Sequence, residues 1–163
     1  MKIAIISDIH DNLVNLKKSL DYINKWRAEQ IICCGDVCNL DTIDYLIKNF
    51  SGIIHLVRGN MELFEDDDLP QIDKLKYYGK IALEEMAGRQ VGLCHEPFRI
   101  DDILKMGKAG IIFHGHTHKP WIEKKDNLLI ANPGNVAGIL HKATFAVWNT
   151  EDKRLKLVVV DEI

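Results

Sequence analysis

The stretch Lys2-Ile3-Ala4-Ile5-Ile6-Ser7-Asp8-Ile9-His10 decides the fold. Its mostly branched apolar run reads as a strand, and the run stops at a polar Asp-x-His. A continuous apolar run suits a parallel-sheet strand covered on both faces, since neither face then meets water. In open α/β sheets, ligands bind just beyond the carboxyl ends of such strands. Asp8 and His10 stand at such an end, and in extended chain residues two apart point to the same side. A carboxylate beside an imidazole suits a borderline divalent metal. Alone, Asp-x-His is common by chance and is equally well the polar end of a buried strand.

The same grammar repeats along the chain. Gln30 to Cys34 is a second apolar run, ending in Gly35-Asp36. Gly52 to Val57 ends in Arg58-Gly59-Asn60, and Val91 to Cys94 ends in His95. Gly110 to Phe113 runs into His114-Gly115-His116-Thr117-His118. Each run ends in a potential ligand, often beside a glycine that lets the backbone turn sharply or approach a ligand closely. Core packing does not require that repetition, whereas a metal site does.

In this order, Asp8-x-His10, Gly35-Asp36, Gly59-Asn60, His95 and Gly115-His116-x-His118 resemble the calcineurin-like metallophosphoesterases. Asn132-Pro133-Gly134 resembles a further turn of the small bacterial and archaeal branch, the YfcE-type phosphodiesterases. The resemblance implies a single domain over residues 1–163. The implied fold is α/β, a metallophosphoesterase-type αββα sandwich of two mixed β-sheets flanked by helices. It also implies two metal positions. One would be held by Asp8, His10, Asp36 and His118, the other by Asp36, Asn60, His95 and His116, with Asp36 as the bridge. Asp36, Asn60 and His95 are expected to act in catalysis as well.

Two close dications need anionic charge between them, and a shared carboxylate supplies it. Only Asp8 and Asp36 of the set are anionic, so the centre stays positive and favours a phosphate ester. Such a centre lowers the pKa of bound water and yields a hydroxide nucleophile near neutral pH. The mixed nitrogen and oxygen set argues for Mn2+, with Ni2+, Co2+, Zn2+ or Fe2+ as alternatives, over calcium. The expected activity is a metal-dependent phosphodiesterase acting on small phosphate esters. The alternatives are a phosphomonoesterase and a non-catalytic scaffold like the retromer subunit Vps29, which resembles this fold.

Composition narrows the classes. The chain has 163 residues, long enough for a substantial core, and nearly half of them are apolar. A formal charge of −3 gives no basic footprint for nucleic acid, though a small nucleotide held through metals stays compatible. No apolar run reaches the length of a membrane span, and the start lacks the layout of a signal peptide. The four cysteines, Cys33, Cys34, Cys38 and Cys94, form no CxxC pair, and they fit a reducing compartment, so the cytoplasm is expected. The resemblance and the β-rich second half point to a homo-oligomer, with a neighbouring chain building part of the wall around the site.

Between the strands, Asn12 caps a helix on which Leu13, Leu16, Leu20 and Ile23 recur at helical spacing. Asp41 to Lys48 and Phe98 to Met106 read as further helices. Glu65 to Asp68 reads as a solvated acidic loop. Tyr77 to Glu85 and Arg89 to Cys94 read as two strands joined at Gly88. Trp121 to Lys125, Leu128 to Ala131, Thr144 to Trp148 and Leu155 to Val160 read as strands of the second half.

Several residues depart from the family pattern or carry their own expectation. Many relatives have a His after Gly-Asn as general acid, and here Met61-Glu62 follows, with a methionine that cannot donate a proton. Glu62 is expected to orient Asn60 by a hydrogen bond. Asp11 replaces a usual glycine and would repel a phosphate or bind a group behind the ligands. Asn135 takes the place of a common serine. Arg58 has two readings, a phosphate contact or a structural ion pair. His114 is expected to face the core, His55 to be structural and Cys38 to be a packed or partly exposed thiol, and His141 is assigned no role.

Overall fold

The structure is a computed structural model that describes residues 1–152 and 154–163. Two sheets stack face to face. The first runs in the order β11-β10-β1-β2-β3-β4, and the second in the order β5-β6-β7-β9-β8. The strands of the first sheet are β1 (Lys2–Ile6), β2 (Gln30–Cys33), β3 (Ile53–Leu56), β4 (Leu75–Tyr77), β10 (Thr144–Asn149) and β11 (Arg154–Val159). Those of the second are β5 (Ile81–Met86), β6 (Arg89–Cys94), β7 (Ile111–Phe113), β8 (Trp121–Lys125) and β9 (Leu128–Asn132). The β1–β2–β3–β4 pairings are parallel, as are β6–β7 and β7–β9, while β10, β11, β5 and β8 pair antiparallel.

β1 is covered on both faces, as its apolar run requires. Ala4 and Ile6 pack outward under α1 (Leu13–Lys25) and α2 (Leu40–Asn49), against Leu16, Leu20, Ile23, Ile43 and Leu46. Ile3 and Ile5 point inward, joining Ile32, Val91, Leu93, Phe113 and Trp148 between the sheets. Each buried Ile, Leu or Phe contributes about 1.5–3 kcal/mol by leaving water, so both layers are needed to hold the sheet in register. On the outer face of the second sheet, Ile103 of α3 (Ile100–Met106) packs on Ile112. The layers are therefore helix, sheet, sheet, helix.

Asn12 caps α1 as expected, its side chain accepting from Asn15 N–H at 3.1 Å. α3 is shorter than expected, because a turn of 3-10 helix over Pro97–Arg99 replaces its start. The expected strand Tyr77 to Glu85 is corrected. The chain breaks at Tyr78-Gly79-Lys80, and β4 ends the first sheet before β5 opens the second. Gly79 sits at φ +66°, a turn that glycine takes without a steric penalty. Gly79-Lys80 interrupts the apolar run at this crossing, and that glycine was the local signal of the break.

Candidate metal centre

Strand geometry gathers the polar residues at one end of the sandwich. β1, β2 and β3 are parallel, so the loops carrying Asp8, His10, Asp36 and Asn60 emerge side by side. β6 and β7 are parallel in the facing sheet and bring His95, His116 and His118 to the same end. Backbone bonds lock the first set together. Asp8 N–H donates to Gly35 O at 3.0 Å, and Ile9 and His10 N–H donate to Asp36 O at 2.9 and 3.0 Å.

The expectation that Asp8 and His10 share a side of extended chain is corrected. Their φ angles are +53° and +44°, and Asp36, His116 and His118 are also left-handed at +54°, +68° and +58°. Non-glycine residues rarely adopt this region, and each costs of order 1–3 kcal/mol, a strain that collects at functional sites. The neighbouring glycines permit close approach. A Cβ on Gly59 would lie 2.1 Å from Asp36 Oδ1, and one on Gly115 would lie 1.9 Å from Ser7 Oγ.

All seven expected ligands meet in one continuous cluster. His118 Nε2 lies 3.2 Å from Asp8 Oδ1 and 3.3 Å from His10 Nε2. His10 Nε2 lies 3.7 Å from Asp36 Oδ2, and His95 Nε2 lies 3.2 Å from the same oxygen. Asn60 Oδ1 lies 2.9 Å from His95 Nε2 and 2.8 Å from His116 Nδ1. Asp8, His10 and His118 form one group able to hold a metal ion, and Asp8, Asp36 and His95 form another.

His95 tests whether a cation fits. Its Nδ1 lies 2.7 Å from Cys34 O, a group that only accepts, so Nδ1 carries the proton. In the neutral ring Nε2 is then a lone pair, yet it faces two more oxygens, of Asp36 and Asn60. That contact needs a positive charge among the three atoms, a bound cation or a second ring proton; burial opposes the proton, but the Asp36 hydrogen bond and charge outweigh it and raise the His95 pKa. Asp8 and Asp36 are 0% and 2% exposed, and no lysine or arginine pairs with either among the described residues. Two buried carboxylates set among imidazoles and an amide oxygen suit divalent ions with nitrogen and oxygen ligands.

Electrostatics differ between the two carboxylates. Burial raises the pKa of Asp8 above the ordinary range. Burial also acts on Asp36, but the His95 hydrogen bond and charge, with Met61 N–H and His10, outweigh it and lower the pKa. Met61 N–H donates to Asp36 Oδ1 at 2.8 Å, which leaves Oδ2 turned towards His10 and His95.

Other expectations resolve as follows. Glu62 does not orient Asn60. Its carboxylate accepts from Cys38 N–H at 2.8 Å and from Val37 and Gly59 N–H at 3.2 Å, tying together the loops that carry Asp36 and Asn60. Asp11 takes the second of its two readings, its carboxylate accepting from Asn39 N–H at 3.1 Å and Thr42 Oγ1 at 2.6 Å, at the start of α2. Arg58 takes the structural reading, paired with Asp66 and donating to Phe64 O at 2.8 Å. The acidic loop is thereby partly paired, through a 3-10 turn over Asp66–Asp68. His55 is packed, with Nδ1 2.8 Å from Tyr78 Oη. Burial pushes the Cys38 thiol up to about 12, as fits a packed thiol 3.5 Å from His10 Nδ1. His114 is buried, and burial lowers its pKa.

Sequence reasoning missed what holds the His116 and His118 loop. Asn132 Nδ2 donates to Gly115 O at 2.8 Å and to Thr117 Oγ1 at 3.0 Å, and Asn135 Nδ2 donates to His118 O at 3.1 Å. The only signal was the Asn-Pro-Gly turn itself, since these partners lie 15 to 17 residues away.

Comparison with known proteins agrees with this geometry. A Methanocaldococcus jannaschii protein named a phosphodiesterase is 27% identical to this chain, over 99% of it and 100% of the relative. A solved structure described as a novel archaeal phosphodiesterase superposes with a TM-score of 0.88 at 28% identity, covering 98% of this chain and 99% of the other. The phosphoesterase Yfce from E. coli shares the fold, with a TM-score of 0.72 at 19% identity over 98% of this chain and 100% of its own. The model of the Calcineurin-like phosphoesterase superfamily domain matches residues 1–153, and the chain belongs to that superfamily.

Proposed function

We propose that the chain is a phosphodiesterase that hydrolyses small phosphate esters with two divalent transition-metal ions, manganese first among them. The observation that carries this reading is the cluster itself, in which the buried carboxylates of Asp8 and Asp36 are set against His10, His95 and His118, with Asn60 Oδ1 between His95 and His116. In the reading, Asp8, His10, Asp36 and His118 hold one ion, and Asp36, Asn60, His95 and His116 hold the other. Residues 1–163 form one such domain. The four cysteines are free, which supports a cytoplasmic setting. Among the described residues no helix is long and apolar enough to cross a membrane.

Bound divalent ions supply a hydroxide nucleophile from water and positive charge for the phosphoryl oxygens. The chain's own residues do the positioning. Cys34 O fixes the His95 tautomer, and Met61 N–H fixes the rotation of the Asp36 carboxylate. His116 N–H donates to the Asp8 carboxylate at 3.2 Å, coupling the two sheets across the centre. Met61 stands beside Asn60 half exposed and cannot protonate a leaving group. That favours esters with good leaving groups, and the Asp8 and Asp36 carboxylates favour diesters over the more negative monoesters. The complete ligand set argues against a Vps29-like scaffold role.

The test is metal content with hydrolysis. After loading with manganese, two ions per chain and chelator-sensitive cleavage of a bis-nitrophenyl phosphate are expected, with both lost in Asp36→Ala. Failure of the wild type to bind metal, or binding without any ester cleavage, overturns the proposal.

A further inference from the structure

The loop from Gly115 to His118 borders a second feature. A groove of about 500 Å3 lies on the face of the second sheet that α3 packs against, lined in part by Asp101, His114, Thr117, Lys119, Trp121 and Glu123. That volume falls within the range of small-molecule sites, roughly 300–1,000 Å3. The register brings its mouth to the candidate centre. β9 runs parallel to β7, and Trp121 pairs with Asn132 at the carboxyl end of β9. Trp121, Lys119 and Thr117 therefore stand at the end of the sheet that carries His95, His116 and His118.

The floor of the groove holds an unused acceptor. His114 is 6% exposed, and its Nδ1 lies 3.0 Å from Gly115 O. Asn132 Nδ2 is 3.4 Å from the same nitrogen, but its two hydrogens go to Gly115 O and Thr117 Oγ1 at 2.8 and 3.0 Å. Nδ1 is thus the donor and Nε2 the acceptor. Among the described residues no protein group hydrogen-bonds to His114 Nε2. The residue is buried but this nitrogen reaches the cavity, where a ligand N–H can meet it.

The walls say which kind. Trp121 is 52% exposed and offers a large flat face, with Lys119 Nζ 5.5 Å from its ring centroid. Asp101 and Glu123 balance the lysines, and Glu123 already pairs with Lys125 at 3.3 Å. A second phosphate would meet those carboxylates, while an uncharged polar ring would not. We propose that this groove holds the arm of a phosphodiester that stays on the phosphate, and that it takes a planar heteroaromatic ring with an N–H donor, such as a nucleoside base, stacked on Trp121 with the N–H towards His114 Nε2. The proposal rests on the phosphodiesterase reading of the neighbouring centre. Water adds to phosphorus, the bond to the other ester oxygen breaks, and that oxygen departs with a proton as the alcohol or phenol.

The experiment compares two diesters with one leaving group, thymidine 5′-nitrophenyl phosphate and ethyl nitrophenyl phosphate, on the manganese-loaded protein. With the leaving group constant, only the retained arm differs. Stacking plus one hydrogen bond should raise kcat/KM for the thymidine ester by about 10-fold or more over the ethyl ester. Trp121→Ala, a change on an exposed edge strand, should collapse that ratio towards one. A ratio near one in the wild type, or a ratio unchanged by Trp121→Ala, overturns the proposal. A second readout does not need turnover. Thymidine 5′-monophosphate should quench tryptophan fluorescence saturably, and Trp121→Phe should abolish that component. Quenching that is absent, or that survives Trp121→Phe, also overturns the subsite. If no diester is cleaved but the Trp121 quench is present, the catalytic reading fails and the ring site stands.

Discussion

Removing the Glu62 carboxylate should loosen the candidate centre from behind. Glu62→Ala strips the acceptor from three backbone N–H groups, those of Cys38 at 2.8 Å and of Val37 and Gly59 at 3.2 Å. Hydrogen bonds to a charged group are worth about 1.5–3 kcal/mol each. The two long ones sit at the edge of the favourable range, and Glu62 is only half-buried, so water can replace part of the loss. The expected cost is about 2–4 kcal/mol of stability, and Glu62→Gln, which keeps one oxygen, should recover part of it. Because Val37 follows Asp36 and Gly59 precedes Asn60, metal affinity should fall by about 10-fold or more. Urea unfolding in chelator measures the first effect without metal linkage, and calorimetric titration of manganese measures the second. A variant within about 0.5 kcal/mol of the wild type, with unchanged metal affinity, would refute the reasoning.

Three further outcomes follow from the same geometry. Gly115→Ala should prevent metal uptake, because the added carbon would lie 1.9 Å from Ser7 Oγ and 2.7 Å from Asp8 Oδ2; normal metal content by elemental analysis would contradict this. Stability should fall in mild acid through His55, whose burial, with Lys76 nearby, lowers its pKa from 6.5 to about 4. Above pH 6.5 neither state takes the proton, and between 6.5 and about 4 only the unfolded chain does, so folding weakens by up to about 3 kcal/mol across that window. His55→Phe should flatten the slope of stability against pH, and an unaltered slope in urea melts would assign the acid sensitivity elsewhere. Met61→His should raise kcat/KM on an alkyl-leaving diester by about 10-fold or more beyond its effect on a nitrophenyl diester, and equal effects at matched metal content would show that position 61 is not where the acid stands.

The parallel strands and the candidate ligands at their ends were legible from residue order alone. β1 through β3 are buried on two faces and then must turn polar, and that pattern is local, so Asp8, His10, Asp36, Asn60, His95, His116 and His118 could be read without coordinates. The sequence also carried the cap of α1, which depends on residues three apart. What it could not carry were the choices made between distant segments. Whether Glu62 faced Asn60 or the backbone of residues 37, 38 and 59 depended on how two crossover loops pack, 24 to 25 residues apart. Asp11 found the start of α2, 28 to 31 residues on, and Arg58 found Asp66 instead of a phosphate. Within Tyr77 to Glu85, Gly79-Lys80 marks a turn, but whether the chain then rejoined the same sheet or opened the second depended on packing between remote strands. Only the tertiary structure set His114 Nε2 into a groove beside Trp121, since that placement needs α3 on one side and the edge strand β8 on the other. Side-chain type and spacing fix what a residue can do, and the packing of remote elements fixes which partner it does it with.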